Sequence, residues 1–108
     1  MAMNRAWAAP EPGREAVDAM RGPVLLEFGT PWCPHCLAAE PLLAHALSQH
    51  DEVAHVRIED GRGRRLGRSF AVKLWPTFVL MRDGVEQARV VRPRSLREIE
   101  ALFDEAGA

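Results

Sequence analysis

The order of elements legible in the 108-residue sequence predicts an α/β fold: parallel strand–helix units, then an antiparallel hairpin and a closing helix. Three observations carry that prediction. Val24-Leu25-Leu26-Glu27-Phe28 is a near-continuous run of β-formers, as expected of a central strand covered on both faces. A helical pattern follows from about Pro34 to Ser48, with Cys36, Ala39, Leu43, Ala46 and Leu47 at the spacing of one buried face. Further on, two strand-like segments flank Asp83-Gly84, a strong signal for a two-residue hairpin turn.

Taken in order, residues 1–10 are small, apolar and Pro-containing, either a short edge strand or a loose arm, with Trp7 as packing material. Glu15 to Arg21 suggests one or two helical turns ended by Gly22-Pro23. Gly29-Thr30-Pro31 reads as a loop. Pro41 lies inside the long helix and is expected to kink it, because proline removes a backbone donor and clashes with the preceding turn. Val53–Ile58 reads as a second strand, with Ala54, Val56 and Ile58 on one side and Val53, His55 and Arg57 on the other. A Gly- and Arg-rich link with a short helix reaches about Phe70, and Thr77–Arg82 and Val85–Val91 form the hairpin. Ser95-Leu96-Arg97-Glu98 is a capping box. It opens an amphipathic helix with Leu96, Ile99, Leu102 or Phe103, and Ala106 inward. His45 and His50 read as exposed helix residues. The length suits one domain spanning residues 1–108.

With 47% apolar residues the chain can bury a core without cross-links, and two cysteines three positions apart cannot staple a fold. A formal net charge of −1 argues against general affinity for nucleic acid or anionic membrane. The charge is unevenly spread, since Arg57 to Arg97 holds eleven Lys/Arg against four Asp/Glu. Met1 to Met20 lacks the apolar core of a secretory signal. No run approaches the roughly 18 apolar residues of a membrane span. The expectation is a cytoplasmic protein, or a periplasmic one if a leader preceded it.

Both cysteines fall in Trp32-Cys33-Pro34-His35-Cys36, between the apolar strand and the long helix. C-x-x-C in that setting reads as a redox motif. Half of a metal site and an inert pair are the alternatives. A structural zinc site normally needs four ligands, and no second pair follows. A c-type haem attachment would need histidine after Cys36, where Leu37 stands. Cys33 sits at the helix start, where free N–H groups and the helix dipole favour a thiolate, and is expected to be accessible and the attacking thiol. Cys36, one turn in on the apolar face, is expected to be the resolving thiol. His35 stands next to the sulfurs and can add a donor or a positive charge, unless it is simply exposed. Glu27 is the one charge in the first apolar strand, costly there unless paired or protonated, or else at a strand end facing water. Arg62, Arg64, Arg65 and Arg68 come with no stacking aromatics and no phosphate loop, and read as a solvated face.

The Trp-Cys-x-x-Cys segment, Pro41 five residues past the second cysteine, Trp75-Pro76-Thr77 and the Asp83-Gly84 turn together resemble the thioredoxin family over nearly the whole chain. The resemblance implies a thioredoxin fold, a central mixed sheet of four or five strands flanked by helices. It implies thiol–disulfide exchange by Cys33 and Cys36, with protein thiols and disulfides as substrates and a recycling reductase or oxidase as partner. It calls for no cofactor, no metal, no nucleic acid and no membrane, and for a monomer. It makes Glu27 the proton acceptor for Cys36, with His55 on the neighbouring strand as its partner. Pro76 becomes a cis-proline facing the disulfide, whose adjacent backbone pairs with an extended client, and Trp32 and Trp75 become an apolar rim for substrate.

Two features depart from the family pattern. Pro34-His35 between the cysteines is similar to the disulfide oxidase DsbA, as is Leu26-Glu27-Phe28, yet 108 residues leave no room for the helical domain of that protein. The dipeptide implies a potential between about −270 mV and about −120 mV. Trp75 also stands where Ile, Val or Thr is usual. A second reading is a non-catalytic module that holds clients in the groove beside Pro76; the intact cysteine pair argues against it. The direction of exchange depends on the compartment and the recycling partner.

Overall fold

β1 (Pro23–Gly29) buries six of its seven residues, and a strand covered on both faces is paired along both edges. The computed structural model describes residues 3–105 and contains a four-stranded sheet in the order β2-β1-β3-β4. β2 (Ala54–Glu59) runs parallel to β1, and β3 (Thr77–Arg82) runs antiparallel to it. β4 (Val85–Val91) returns antiparallel to β3. Asp83 and Gly84 take φ of 51° and 81°, the left-handed pair that a two-residue turn demands. A Cβ on Gly84 would run into the backbone oxygen of Asp18, so this turn rests directly on α1 (Arg14–Asp18) and its end.

Strand alternation sends Val24, Leu26 and Phe28 to one side of the sheet. There they pack with Val17 of α1, Leu66 of α3 (Arg65–Ser69), Phe70, Val79 and Met81. Leu25 faces the opposite side, against α2 (Pro34–Ser48) and α4 (Leu96–Glu105). α2 buries Cys36, Ala39, Leu43, Ala46 and Leu47, the five residues its periodicity singles out, and runs through Pro41 as one element. The capping box of α4 closes in both directions: Glu98 N–H donates to Ser95 Oγ, and Ser95 N–H donates to Glu98 Oε2, each at 3.3 Å. Ile99, Leu102 and Phe103 are buried beneath it, whereas Ala106 lies outside the described residues, as do residues 1 and 2. None of the described helices is long and apolar enough to cross a membrane.

Three places differ from the simplest reading of the sequence. In β2 the apolar Ala54 is exposed and Val56 half-buried, while His55 and Arg57 are buried, as is Val53 just before the strand, because a carboxylate inside the sheet draws the polar pair inward. His50 is half-buried, not exposed; its ring stacks on Phe103 at 4.2 Å between centroids. The N-terminal arm is neither loose nor a full strand: Trp7 forms a single parallel bridge with Arg57, and Ala8 N–H donates to Arg57 O at 2.8 Å.

Candidate active site

Helix α2 starts at the sulfurs. Cys33 is its N-cap, with extended backbone, and Pro34 takes the first helical position, where a missing N–H costs nothing. The Cys33 sulfur turns back over the first turn and accepts the Cys36 N–H at 3.3 Å, one of the four donors a helix start leaves unpaired. That inward turn is why Cys33, expected to be accessible, is only 4% exposed; Cys36 is 1% exposed. Both are free thiols. The Cys36 sulfur presses on the end of β1: a Cβ built on Gly29 would stand 2.6 Å from it. Burial first, and then the hydrogen bond with Cys33, push the Cys36 thiol from 9.0 up to about 12, against a backbone hydrogen bond at Thr30 that works the other way. The Glu27 charge adds a smaller upward push.

Glu27 lies two residues before Gly29, on the same face of β1, and is fully buried. The parallel register sets Arg57 opposite it, and the guanidinium grips the carboxylate at both oxygens, Nε to Oε1 at 3.0 Å and NH2 to Oε2 at 3.2 Å. The same NH2 reaches Glu40 Oε2 of α2 at 2.9 Å. Burial pulls the Arg57 value down, but the charges and hydrogen bonds of Glu27 and Glu40 prevail and hold it above its ordinary level. Trp7 covers the cation, its ring 4.3 Å from the guanidinium carbon. His55 also meets Glu27, Nε2 to Oε1 at 2.8 Å. Its other nitrogen, Nδ1, accepts the Asn4 backbone N–H at 2.9 Å. A backbone N–H can only donate, so Nδ1 carries no proton and Nε2–H is the donor to Glu27. His55 therefore partners Glu27 as a neutral donor, and the buried cation is Arg57.

The rim above the sulfurs is built by Trp32 and Trp75, in edge contact at 6.0 Å between ring centroids. Trp32 is 67% exposed. Trp75 is fixed at both ends: its indole N–H donates to Asp60 Oδ2 at 2.9 Å, and its carbonyl accepts Arg92 Nε at 2.8 Å. The Trp75–Pro76 peptide is cis, as the family pattern implies, and Pro76 is buried. On the Arg92 side of Trp75 lies a groove of about 620 Å³ that runs past His35 of α2. His35 is exposed there, and no hydrogen bond to a cysteine sulfur is described for it. The Arg62, Arg64, Arg65 and Arg68 cluster is exposed on the Asp60 side, where Arg64 and Arg68 border a smaller cleft.

A free dithiol at a helix start, with a buried carboxylate beneath it and an X-Pro turn beside it, is matched by comparison with known proteins. The thioredoxin family model matches residues 9–105. The chain belongs to the thioredoxin family. Thioredoxin 2 from Pseudomonas aeruginosa PAO1, solved in its reduced form, is 56% identical and superposes with a TM-score of 0.86 over 97% of this chain and 98% of that one. Thioredoxin Asp f 28 of Aspergillus fumigatus is 26% identical over 81% of each chain. Thioredoxin C-3 of Corynebacterium nephridii is 30% identical over 77% of this chain and 57% of its own length. The fold is thus the thioredoxin fold, and the protein is a thiol–disulfide oxidoreductase with Cys33 and Cys36 at the active-site position. Protein thiols and disulfides are the substrates, and a reductase the recycling partner, that membership carries.

Three residues of this thioredoxin site escape the sequence reading. Gly29 looks like loop punctuation; a glycine closing an apolar strand is also the mark of close approach by another group, here the Cys36 sulfur. Arg57 sits in a strand of alternating character, and only the register to Glu27 shows that it is the counter-charge. Arg92 has φ of 49°, a left-handed conformation uncommon outside glycine, and no sequence signal marks it.

Proposed function

We propose that Cys33 attacks client disulfides, that Cys36 resolves the intermediate, and that Glu27 takes the resolving proton. The Cys33 thiolate bonds to one client sulfur, and the second client sulfur leaves with the electron pair and is protonated. Cys36 then gives its proton to Glu27 and attacks the Cys33 sulfur, forming the Cys33–Cys36 disulfide and releasing the first client sulfur as a thiolate. Two electrons pass from the pair to the client. The observation that carries these roles is the asymmetry of the sulfurs: Cys33 caps the open end of α2, while Cys36 lies under Gly29 with its thiol at about 12. At neutral pH such a thiol is ionised in only about one molecule in 10⁵, so attack needs a base. A carboxylate offers about four acceptor positions, and Arg57 and His55 occupy three on Glu27, leaving one on Oε2 for the thiol proton.

Trp32, Trp75 and Pro76 form the binding rim, where the backbone beside Pro76 takes an extended client in the manner of strand addition. The DsbA-like dipeptide we read as only weakly tuning. No hydrogen bond from His35 to the Cys33 sulfur is described, and the one hydrogen bond described to that sulfur is from backbone. Thiolate stabilisation sets the potential of such a pair, which we place between about −270 mV and about −120 mV. The family's activity supports reading the protein as a reductant of protein disulfides, recharged by a reductase. The test is insulin reduction under dithiothreitol, paired with trapping. Cys36→Ser is expected to accumulate mixed disulfides with clients and Cys33→Ser none; the opposite pattern would reverse the assigned roles. A potential near −120 mV against a glutathione buffer would make the protein an oxidant.

A further inference from the structure

We propose that Arg92 and Arg94 make the groove beside Trp75 select client disulfides with an Asp or Glu within about three residues of the attacked cysteine. This rests on the reading that Cys33 attacks clients laid along Pro76, and it adds which clients are preferred. The groove has an apolar floor, including Leu42, Leu74 and Val91, and a basic wall of His35, Arg92 and Arg94. Its volume of about 620 Å³ is roughly 10 Å across, the reach of about three extended residues. Arg92 is held at the backbone edge where a client chain would lie: its N–H donates to Pro76 O at 2.9 Å and its Nε to Trp75 O at 2.8 Å. Those bonds leave the four terminal N–H groups of its guanidinium without a partner among the described residues. The Arg94 guanidinium and the His35 ring likewise have none there.

The acid on the lining offsets one of the two guanidinium charges and leaves the pair in excess by one. Glu98 turns Oε2 to the backbone N–H groups of Arg94 and Ser95, as the capping box requires. Two guanidiniums beside an apolar floor suit a carboxylate on a short apolar segment, since arginine can grip it with two parallel hydrogen bonds. A lysine or arginine at the same client position would meet like charge.

The test uses the full reduced chain and two short cyclic peptides, each with one internal disulfide, identical except for Glu or Lys flanking the cystine. The readout is the ratio of kcat/KM for the Glu peptide over the Lys peptide within each variant, which a general loss of folding or activity does not move. The wild type is expected to favour Glu about tenfold at low salt, falling to about twofold at 0.5 M. In Arg92→Gln/Arg94→Gln the ratio is expected to approach one, and in Arg94→Glu to invert. Arg94→Gln alone, which removes no bond to the Trp75–Pro76 backbone, is expected to lower the ratio and keeps the test open if Arg92 variants fold poorly. Arg82→Gln, at the far end of β3, changes net charge equally and is expected to keep the tenfold ratio. A wild-type ratio of one, a tenfold ratio surviving in the double variant, or an equal drop in Arg82→Gln overturns the proposal. Failure of the wild type to turn over either peptide overturns the attack reading beneath it, and is distinct from a ratio of one.

Discussion

The two faces of β1 carry the same backbone and do different work. Val24, Leu26 and Phe28 pack in an apolar cluster with Val17 of α1, Ile58 of β2, Leu66 of α3, Phe70, and Val79 and Met81 of β3. On the other face Leu25 packs against α2 and α4, Glu27 enters an ion network, and Gly29 offers bare backbone to a sulfur. Side chains along this second face change from apolar, to charged, to absent as the strand approaches the site. Alternation thus lets one strand stabilise the fold with its even-numbered residues and position the chemistry with its odd ones. The difference shows in what each position tolerates: the first face needs volume, the second needs particular atoms.

The sharpest way to break the comparison is Glu27→Leu, an apolar residue on the polar face. A buried acid replaced by hydrocarbon looks favourable from sequence, but Arg57 is 3% exposed and would lose its two-point partner. Breaking a buried pair costs about 3–5 kcal/mol, and because Arg57 keeps Glu40 the cost is expected at the low end; the variant should unfold at lower guanidinium concentration and resolve mixed disulfides more slowly. Adding Arg57→Met should restore much of the stability without the rate, since a pair replaced together by apolar groups is often neutral. Leu26→Ala, on the hydrocarbon face, should cost about 3 kcal/mol from a cavity yet leave Cys33 and Cys36 chemistry intact at a temperature where it is folded. Gly29→Ala should do the reverse. Its methyl displaces the Cys36 sulfur, and a misplacement near 1 Å can cost about 100-fold, read as slow release of client from the mixed disulfide in single-turnover assays.

The hydrocarbon face was legible in the sequence and the polar one only in part. Apolar runs, a five-residue helical stripe, a capping box and Asp83-Gly84 each have local signatures, and each element formed where its signature lies. The cysteine pair announces itself by spacing, and Glu27 by being the only charge in its strand. What stays hidden depends on register and approach. His55 and Arg57 alternate on the same side of β2, so nothing in the sequence says which stands opposite Glu27; the parallel ladder sets Arg57 there and His55 opposite Leu25. The role of His55 is set from still further away, by a backbone N–H at Asn4. The inward turn of Cys33 has the same character, since it follows from where its sulfur finds a donor.

The finest distinction between the faces is in their response to alkali. The buried residues clustered around Val24, Leu26 and Phe28 are all non-ionisable, whereas Cys36 over Gly29 holds its proton to about 12 against 9.0 for an ordinary thiol. Above pH 9 the unfolded chain releases this proton and the folded chain keeps it, so the folded state binds more protons and stability falls as pH rises. The contribution is fully present below pH 9 and is lost toward pH 12, with a slope of at most about 1.4 kcal/mol per pH unit. Guanidinium melts of reduced wild type and reduced Cys36→Ala at pH 8, 9, 10 and 11 isolate it, because both proteins share Cys33 and every arginine. The wild type should lose about 1 kcal/mol per pH unit relative to the variant above pH 9. Parallel curves would mean that Cys36 ionises as readily folded as unfolded, and the need for Glu27 as its proton acceptor would go with them.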